Sequence, residues 1–441
     1  MSLIHTSIPS SFLLLALVGA CAEPAESFTD DVGQGVDTGQ PADPGQADVG
    51  QEVSNMMPNN KPIADDAGYS ASYHPSGGIA LNNNFFTPQG TNGRHCGTCH
   101  APSDGWSITP ATVVAMFEDT DGLDPLFVNN LDTDKPTSDM STVEARWNST
   151  TMLRQGKFTR KVSPPAVRDY TVIGASDPFG VGTTSSLWFF RRPLPTANFR
   201  SHTVMWDSAN TVGTSLRDGL IKQARGNVTG AQQGQPAPDA IIFDIVDFEM
   251  AVSHAQLTVN GVGRLDSEGA HGGPEAASTQ PLVNARFDLY DGWAAAGNPM
   301  RRQIYRGQEI FNNVNVPSGR TCRGCHNAAN NGQNVSGTLF DIGASRPEFA
   351  KPDMAVYTFQ RNSDGATVQS TDPGRGIRSG NFADLNKFKT PNLRGLAARA
   401  PYFHGGIAGT LLDVVRHYEV ALGFVFTADE EADLVAFLTA L

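Results

Sequence analysis

Two five-residue stretches carry the chemistry of this chain: Cys96-Gly97-Thr98-Cys99-His100 and Cys322-Arg323-Gly324-Cys325-His326. Each reads C-x-x-C-H, the spacing that attaches a c-type haem covalently. Two thiols so spaced can each add to a vinyl group on one edge of a porphyrin. The histidine that follows can then ligate the iron from beneath. A zinc site built from two C-x-x-C pairs is the competing reading. Zinc needs no histidine directly after each pair, and the pairs stand more than 200 residues apart. The motifs therefore predict two covalently bound haem c groups. His100 and His326 are the expected iron ligands, and Cys96, Cys99, Cys322 and Cys325 the expected attachment points.

The elements around the motifs repeat in order. Phe85 and Phe86 precede the first motif, and Pro238 to Ala255 follows it, with Ile241, Ile242, Ile245, Phe248 and Val252 at helical spacing. A helix over Arg301 to Asn312 precedes the second motif, and two helices close the chain. Thr410 with Asp413 and Thr427 with Glu430 have the spacing of a capping box. Leu434, Val435, Phe437, Leu438 and Leu441 give the last helix an apolar face. Strand signals are sparse. The expected fold is mainly α, with two cytochrome c-like haem domains in tandem at 63–260 and 279–441. A Gly-, Ser- and Pro-rich hinge joins them at 261–278.

The 441 residues suffice for two or three domains, and the net charge of −13 argues against a nucleic-acid partner. Residues 22–62 repeat D-x-G-Q, as in Asp31-Val32-Gly33-Gln34 and Asp48-Val49-Gly50-Gln51. So acidic a stretch with so few large apolar residues cannot bury a core and is expected to be a disordered tether. Phe12 to Ala20 has the length of a signal-peptide core, so residues 1–20 are expected to be a leader. Val18-Gly19-Ala20-Cys21 resembles a bacterial lipobox, although residues 1–11 hold no Lys or Arg. Lipidation at Cys21 would anchor a periplasmic protein to the outer membrane, and Cys21 completes the five cysteines.

The chain resembles the bacterial dihaem cytochrome c peroxidase superfamily, which includes the MauG-type enzymes that oxidise protein residues. The resemblance rests on Arg306-Gly307-Gln308-Glu309-Ile310-Phe311, Phe388-Lys389-Thr390-Pro391-Asn392-Leu393-Arg394 and Ala400-Pro401-Tyr402-Phe403-His404-Gly405-Gly406. Met205-Trp206-Asp207 and Lys222-Gln223-Ala224 match more loosely.

The resemblance implies that hydrogen peroxide meets the His100 haem while the His326 haem is six-coordinate. Counting on from Pro401-Tyr402-Phe403-His404 puts the second ligand of that haem at Tyr418, with His417 or Met354 as the alternatives. Trp206 falls where the family has a tryptophan between the haems, to relay charge or simply to fill the core. Gln223 matches the family's distal glutamine, but Asn227 stands at its proline and Gln233 at its catalytic glutamate. A glutamine can hydrogen-bond but cannot ionise, so His202, Glu249 and His254 become candidate bases. The resemblance also implies a Ca2+ held by the carbonyls of Arg399 and Pro401 and by Asn129 or Asn130. Arg192 and Arg394 become candidates for the haem propionates. The expected function is a peroxide-dependent oxidoreductase drawing electrons from a cytochrome or a partner protein. The alternative is a non-catalytic dihaem electron carrier.

Overall fold

Each C-x-x-C-H motif folds as a single helical turn, Cys96–Cys99 and Cys322–Cys325. The N–H of His100 closes the first turn on the Cys96 carbonyl at 3.1 Å, and His326 closes the second on Cys322 at 2.9 Å. The computed structural model describes residues 55–127, 131–199, 203–211, 215–279, 286–316 and 319–441. The leader, Cys21, most of the tether, Asn129, Asn130 and His202 lie outside these residues. The last residues assigned to the tether include Met56–Pro58, a strand paired with Gly78–Ala80.

The helices follow their sequence signals. The helix before the second motif runs Pro299–Asn313, with Asn298 capping the Met300 N–H and proline in the first turn. Leu411–Leu422 and Ala428–Thr439 begin at Thr410 and Thr427, and both capping boxes are formed. The last helix crosses Pro299–Asn313 at Gly307, where an added Cβ would fall 1.9 Å from the Asp433 carbonyl oxygen. Close approach lets Phe287, Tyr290, Ile304, Phe311, Leu434 and Phe437 form one core. Each such side chain contributes about 1.5–3 kcal/mol on burial. In the first half Leu216–Gly226 packs on Asp239–Ala251. The latter stops at Val252, whose backbone turns extended and begins the strand Ser253–Val259. His254 is therefore on a strand, not a helix.

The expectation of a mainly α fold is wrong: 34% of the structure is helical and 17% is strand. Among the described residues the strands form five sheets. Gly68–Tyr73 and Ser253–Val259 form the centre of a four-stranded sheet. Phe158–Val162 pairs with Leu187–Arg191, every residue of which is buried. Tyr170–Ser176 pairs with Val356–Arg361, joining strands from the two halves of the chain. Here Tyr170, Val172, Tyr357 and Phe359 alternate inward and share a core. Period-two alternation was present in these segments, but each is short and lies inside a long loop-rich insertion.

Candidate functional site

The two motifs open into two separate cavities. The first, about 630 Å³, is lined by Cys96, Cys99 and His100, and the second, about 290 Å³, by Cys322, Cys325 and His326. Both far exceed the ~10–15 Å³ that one water needs. His100 Nδ1 lies 3.0 Å from the Trp106 carbonyl, and His326 Nδ1 lies 2.8 Å from the Gly332 carbonyl. Burial lowers both imidazoles to about 4, so both are neutral near pH 7. A carbonyl can only accept, so Nδ1 carries the proton in each ring. Nε2 keeps its lone pair, the arrangement a metal-ligating histidine needs.

One helix lines part of each cavity. Ser215 caps Leu216–Gly226 and Thr410 caps Leu411–Leu422, each accepting from an aspartate N–H three residues on. Leu220 and Val415 stand five residues beyond their caps, Gln223 and Tyr418 eight, and Asn227 and Leu422 twelve; all line their cavities. Gln223 and Tyr418 thus occupy matching places. Burial pushes the Tyr418 phenol well above its usual value, with Cys322 and Cys325 adding to the shift. The alternatives to Tyr418 are turned elsewhere. His417 Nε2 lies 2.9 Å from the Ile342 carbonyl, its ring between Phe349 and Phe403. Met354 lines a small separate void with Phe190 and Gly405.

A thin wall divides the cavities. Trp206, Pro193, Pro195 and Lys389 line both. The Trp206 indole N–H donates to the Arg192 carbonyl at 2.8 Å, and the Lys389 N–H donates to the Trp206 carbonyl at 2.9 Å. The ring centres of Trp206 and His404 are 6.2 Å apart. Lys389 Nζ donates to the Thr203 carbonyl at 2.7 Å, and burial lowers the amine to about 7.

The first cavity also carries a cluster of cations: Arg160, Arg191 and Arg378 line it. Arg191 holds Asp372 through two bonds of 2.6 and 2.8 Å and Asp207 at 2.8 Å, while Arg378 reaches Asp207 at 3.1 Å. Burial opposes ionisation of Asp207, but Arg191 and Arg378 overcome it and hold the carboxyl below its usual range. Three arginines face two aspartates, so the cluster keeps positive charge for a further anion. The sequence reading missed this cluster and Lys389. The arginines come from distant segments, and no spacing in the chain connects them.

Gln223 and Trp206 are brought to the first cavity, but Gln233 is not among the residues that line it. Its neighbour Gln232 is, accepting from Gln89 N and donating to Asn227 Oδ1, each at 2.8 Å. A π-helical turn over Asn227–Ala231 leads into Gln232 and Gln233. Of the candidate bases, Glu249 is the one carboxyl among the described lining residues. Its Oε2 has no hydrogen-bond partner among the described residues, and burial raises the carboxyl to about 8. His254 lines neither cavity; its Nδ1 meets Ser72 Oγ at 3.1 Å.

Of the carbonyls expected to hold Ca2+, that of Arg399 accepts from Arg192 Nη2 at 3.2 Å, and the Ala400 carbonyl beside it accepts from the same nitrogen at 3.4 Å. Arg192 also lines the second cavity, whereas Arg394 lines neither and bonds Asn331 Oδ1 at 3.3 Å.

No family model matches the chain. It is 30% identical over 174 residues to cytochrome-c peroxidase IdrP1 of Denitromonas iodatirespirans, covering 34% of this chain and 44% of that protein. It is 32% identical over 136 residues to cytochrome c551 peroxidase of Nitrosomonas europaea, covering 30% and 34%. It is 26% identical over 179 residues to the methylamine utilization protein MauG of Methylophilus methylotrophus, covering 37% and 44%. The chain thus spans less than half the length of the curated relatives it matches. A crystal structure of a MauG-like protein associated with microbial copper homeostasis aligns with a TM-score of 0.36 at 18% identity, over 59% of this chain and 78% of that one. Proteins named cytochrome-c peroxidase and MauG are therefore distant homologues of this chain.

Proposed function

We propose that this protein is a dihaem, peroxide-dependent oxidoreductase, with one haem c in each cavity. The observation that carries this reading is the asymmetry between matching positions: an amide at Gln223 and a phenol at Tyr418. A haem bound at each motif would supply the iron that exchanges electrons with peroxide. The thiol pair and the Nε2 lone pair in each cavity support that cofactor. The Arg160, Arg191 and Arg378 cluster supports placing haem carboxylates at that end of the first cavity.

The chain's own residues then divide the work. Gln223 is too weak a donor to hold a haem iron bound at the first motif, which would leave the first cavity free to admit peroxide. Its amide can orient the entering molecule by hydrogen bonding. Glu249, neutral near pH 7, would hold a proton on the lining of that cavity. Tyr418 supplies an oxygen ligand in the second cavity. A hard anionic oxygen favours ferric iron over ferrous. Trp206 carries charge across the shared wall. Regions 63–260 and 279–441 each serve one haem. Electrons come from a small cytochrome or from a residue on a partner protein, and Tyr418 favours the protein-oxidising branch. Export to the periplasm and anchoring at the outer membrane through Cys21 complete this reading.

The test is a ferric EPR spectrum of the holoprotein with a count of haems by pyridine haemochrome. Two haems, one with a high-spin component that responds to peroxide, are expected. Two low-spin haems that ignore peroxide would sink the proposal.

A further inference from the structure

Arg192 is 3% exposed and sits at a crossing of three segments. Its Nη2 donates to Arg399 O and Ala400 O, and its Nη1 donates to Gly156 O at 3.1 Å. Its own backbone N–H donates to the His404 carbonyl at 2.7 Å, and its carbonyl accepts the Trp206 indole N–H at 2.8 Å. The guanidinium fits a slot made for it. Gly156 has φ +66°, and a Cβ there would fall 2.0 Å from Arg192 Nη1; a Cβ on Gly406 would lie 3.5 Å from Arg192 Cδ. Burial lowers the guanidinium to about 10, with Asp104 the chief opposing charge, so it is cationic near pH 7.

We propose that the Arg192 guanidinium is the cation that fastens the Arg399–Ala400 turn to the rest of the molecule, in place of a bound divalent metal ion, and that Trp206 is positioned through it. A Ca2+ ion takes six to eight oxygen ligands. Here Arg399 O already faces a positive charge, which repels a second cation on the same oxygen. The fixed charge performs the bridging role without exchange with solvent. It also connects two things that a free ion would leave separate. The residue whose side chain clamps the turn is the residue whose carbonyl holds the Trp206 indole.

This inference goes beyond the peroxidase reading, because its readouts are binding heat, thermal midpoint and indole environment. Holoprotein treated with EGTA is expected to keep its thermal midpoint, and calcium titrated into it calorimetrically is expected to give no saturable heat. Arg192→Ala is expected to lower the midpoint and to shift the Trp206 indole N–H band in ultraviolet resonance Raman, assigned by its loss in Trp206→Phe. Arg192→Lys, which keeps the charge, is expected to recover part of both. Where Arg192→Ala does not fold, Arg192→Gln, which keeps donors without the charge, reads the same arms. A midpoint in wild-type protein that falls with EGTA and returns with calcium overturns the proposal. So does an Arg192→Ala or Arg192→Gln protein whose midpoint and indole band match wild type.

Discussion

Gln223 and Tyr418 occupy the same rung of two equivalent helices, each eight residues past the hydroxyl that caps its helix. One rung carries an amide, the other a phenol, and each faces the cavity of a C-x-x-C-H motif. An amide oxygen is a poor ligand for haem iron and a phenolate is a strong one. The same backbone design therefore presents two different side-chain chemistries to the two cavities.

Tyr418→Phe tests the proposed ligand of the second cavity. It removes the phenolic oxygen and keeps the ring that lines the cavity. The low-spin EPR signal of the His326 haem is expected to change, while signals of the His100 haem stay as they are. An unchanged spectrum assigns the ligand elsewhere.

Glu249 predicts a pH dependence of stability. Its folded value is about 8 against an ordinary 4.5. Between those values the folded state keeps a proton that the unfolded state has released. The contribution of Glu249 is therefore greatest below about pH 4.5 and falls as pH rises to about 8, by up to ~1.4 kcal/mol per pH unit. Glu249→Gln is expected to flatten that slope in denaturant titrations from about pH 5 to about pH 8. If it also supplies a proton in turnover, the same variant removes the loss of kcat/KM near pH 8.

Trp206→Phe is expected to slow the sharing of oxidising equivalents between the haems while leaving both resting spectra intact. Stopped-flow mixing with peroxide resolves the two haems and measures that rate. The change also leaves the buried Arg192 carbonyl without its indole donor. A stability loss of about 1–3 kcal/mol follows.

Arg191→Met tests the ion network beside the first cavity. It leaves Asp372 without its two-bond partner and Asp207 with Arg378 alone. Breaking one partner out of a buried pair costs about 3–5 kcal/mol, readable as a lower midpoint in urea. Conservation of volume by methionine separates this effect from a cavity.

Local chemistry in the sequence was legible. The C-x-x-C-H turns, the Thr410 and Thr427 caps and the helix before Cys322 all depend on residues within a few positions of one another. Tyr418 lines the second cavity from within the regular helix Leu411–Leu422. Gln233 does not line the first cavity while its neighbour Gln232 does, and no spacing in the sequence separates the two. The sheets were missed because their partners are remote: Tyr170–Ser176 meets Val356–Arg361 across more than a third of the chain. The arginine cluster and Arg192's clamp were invisible for the same reason. Charges converge there only after folding.

That remote strand pairing also sets how the molecule opens. Tyr170–Ser176 takes its ladder from Val356–Arg361, so neither half of the chain can unravel without stripping hydrogen bonds from the other. Amide hydrogen exchange in both strands is expected to proceed at one shared, slow rate. Severing the chain at 261–278 would then yield two fragments, each with a bare strand edge seeking its lost neighbour.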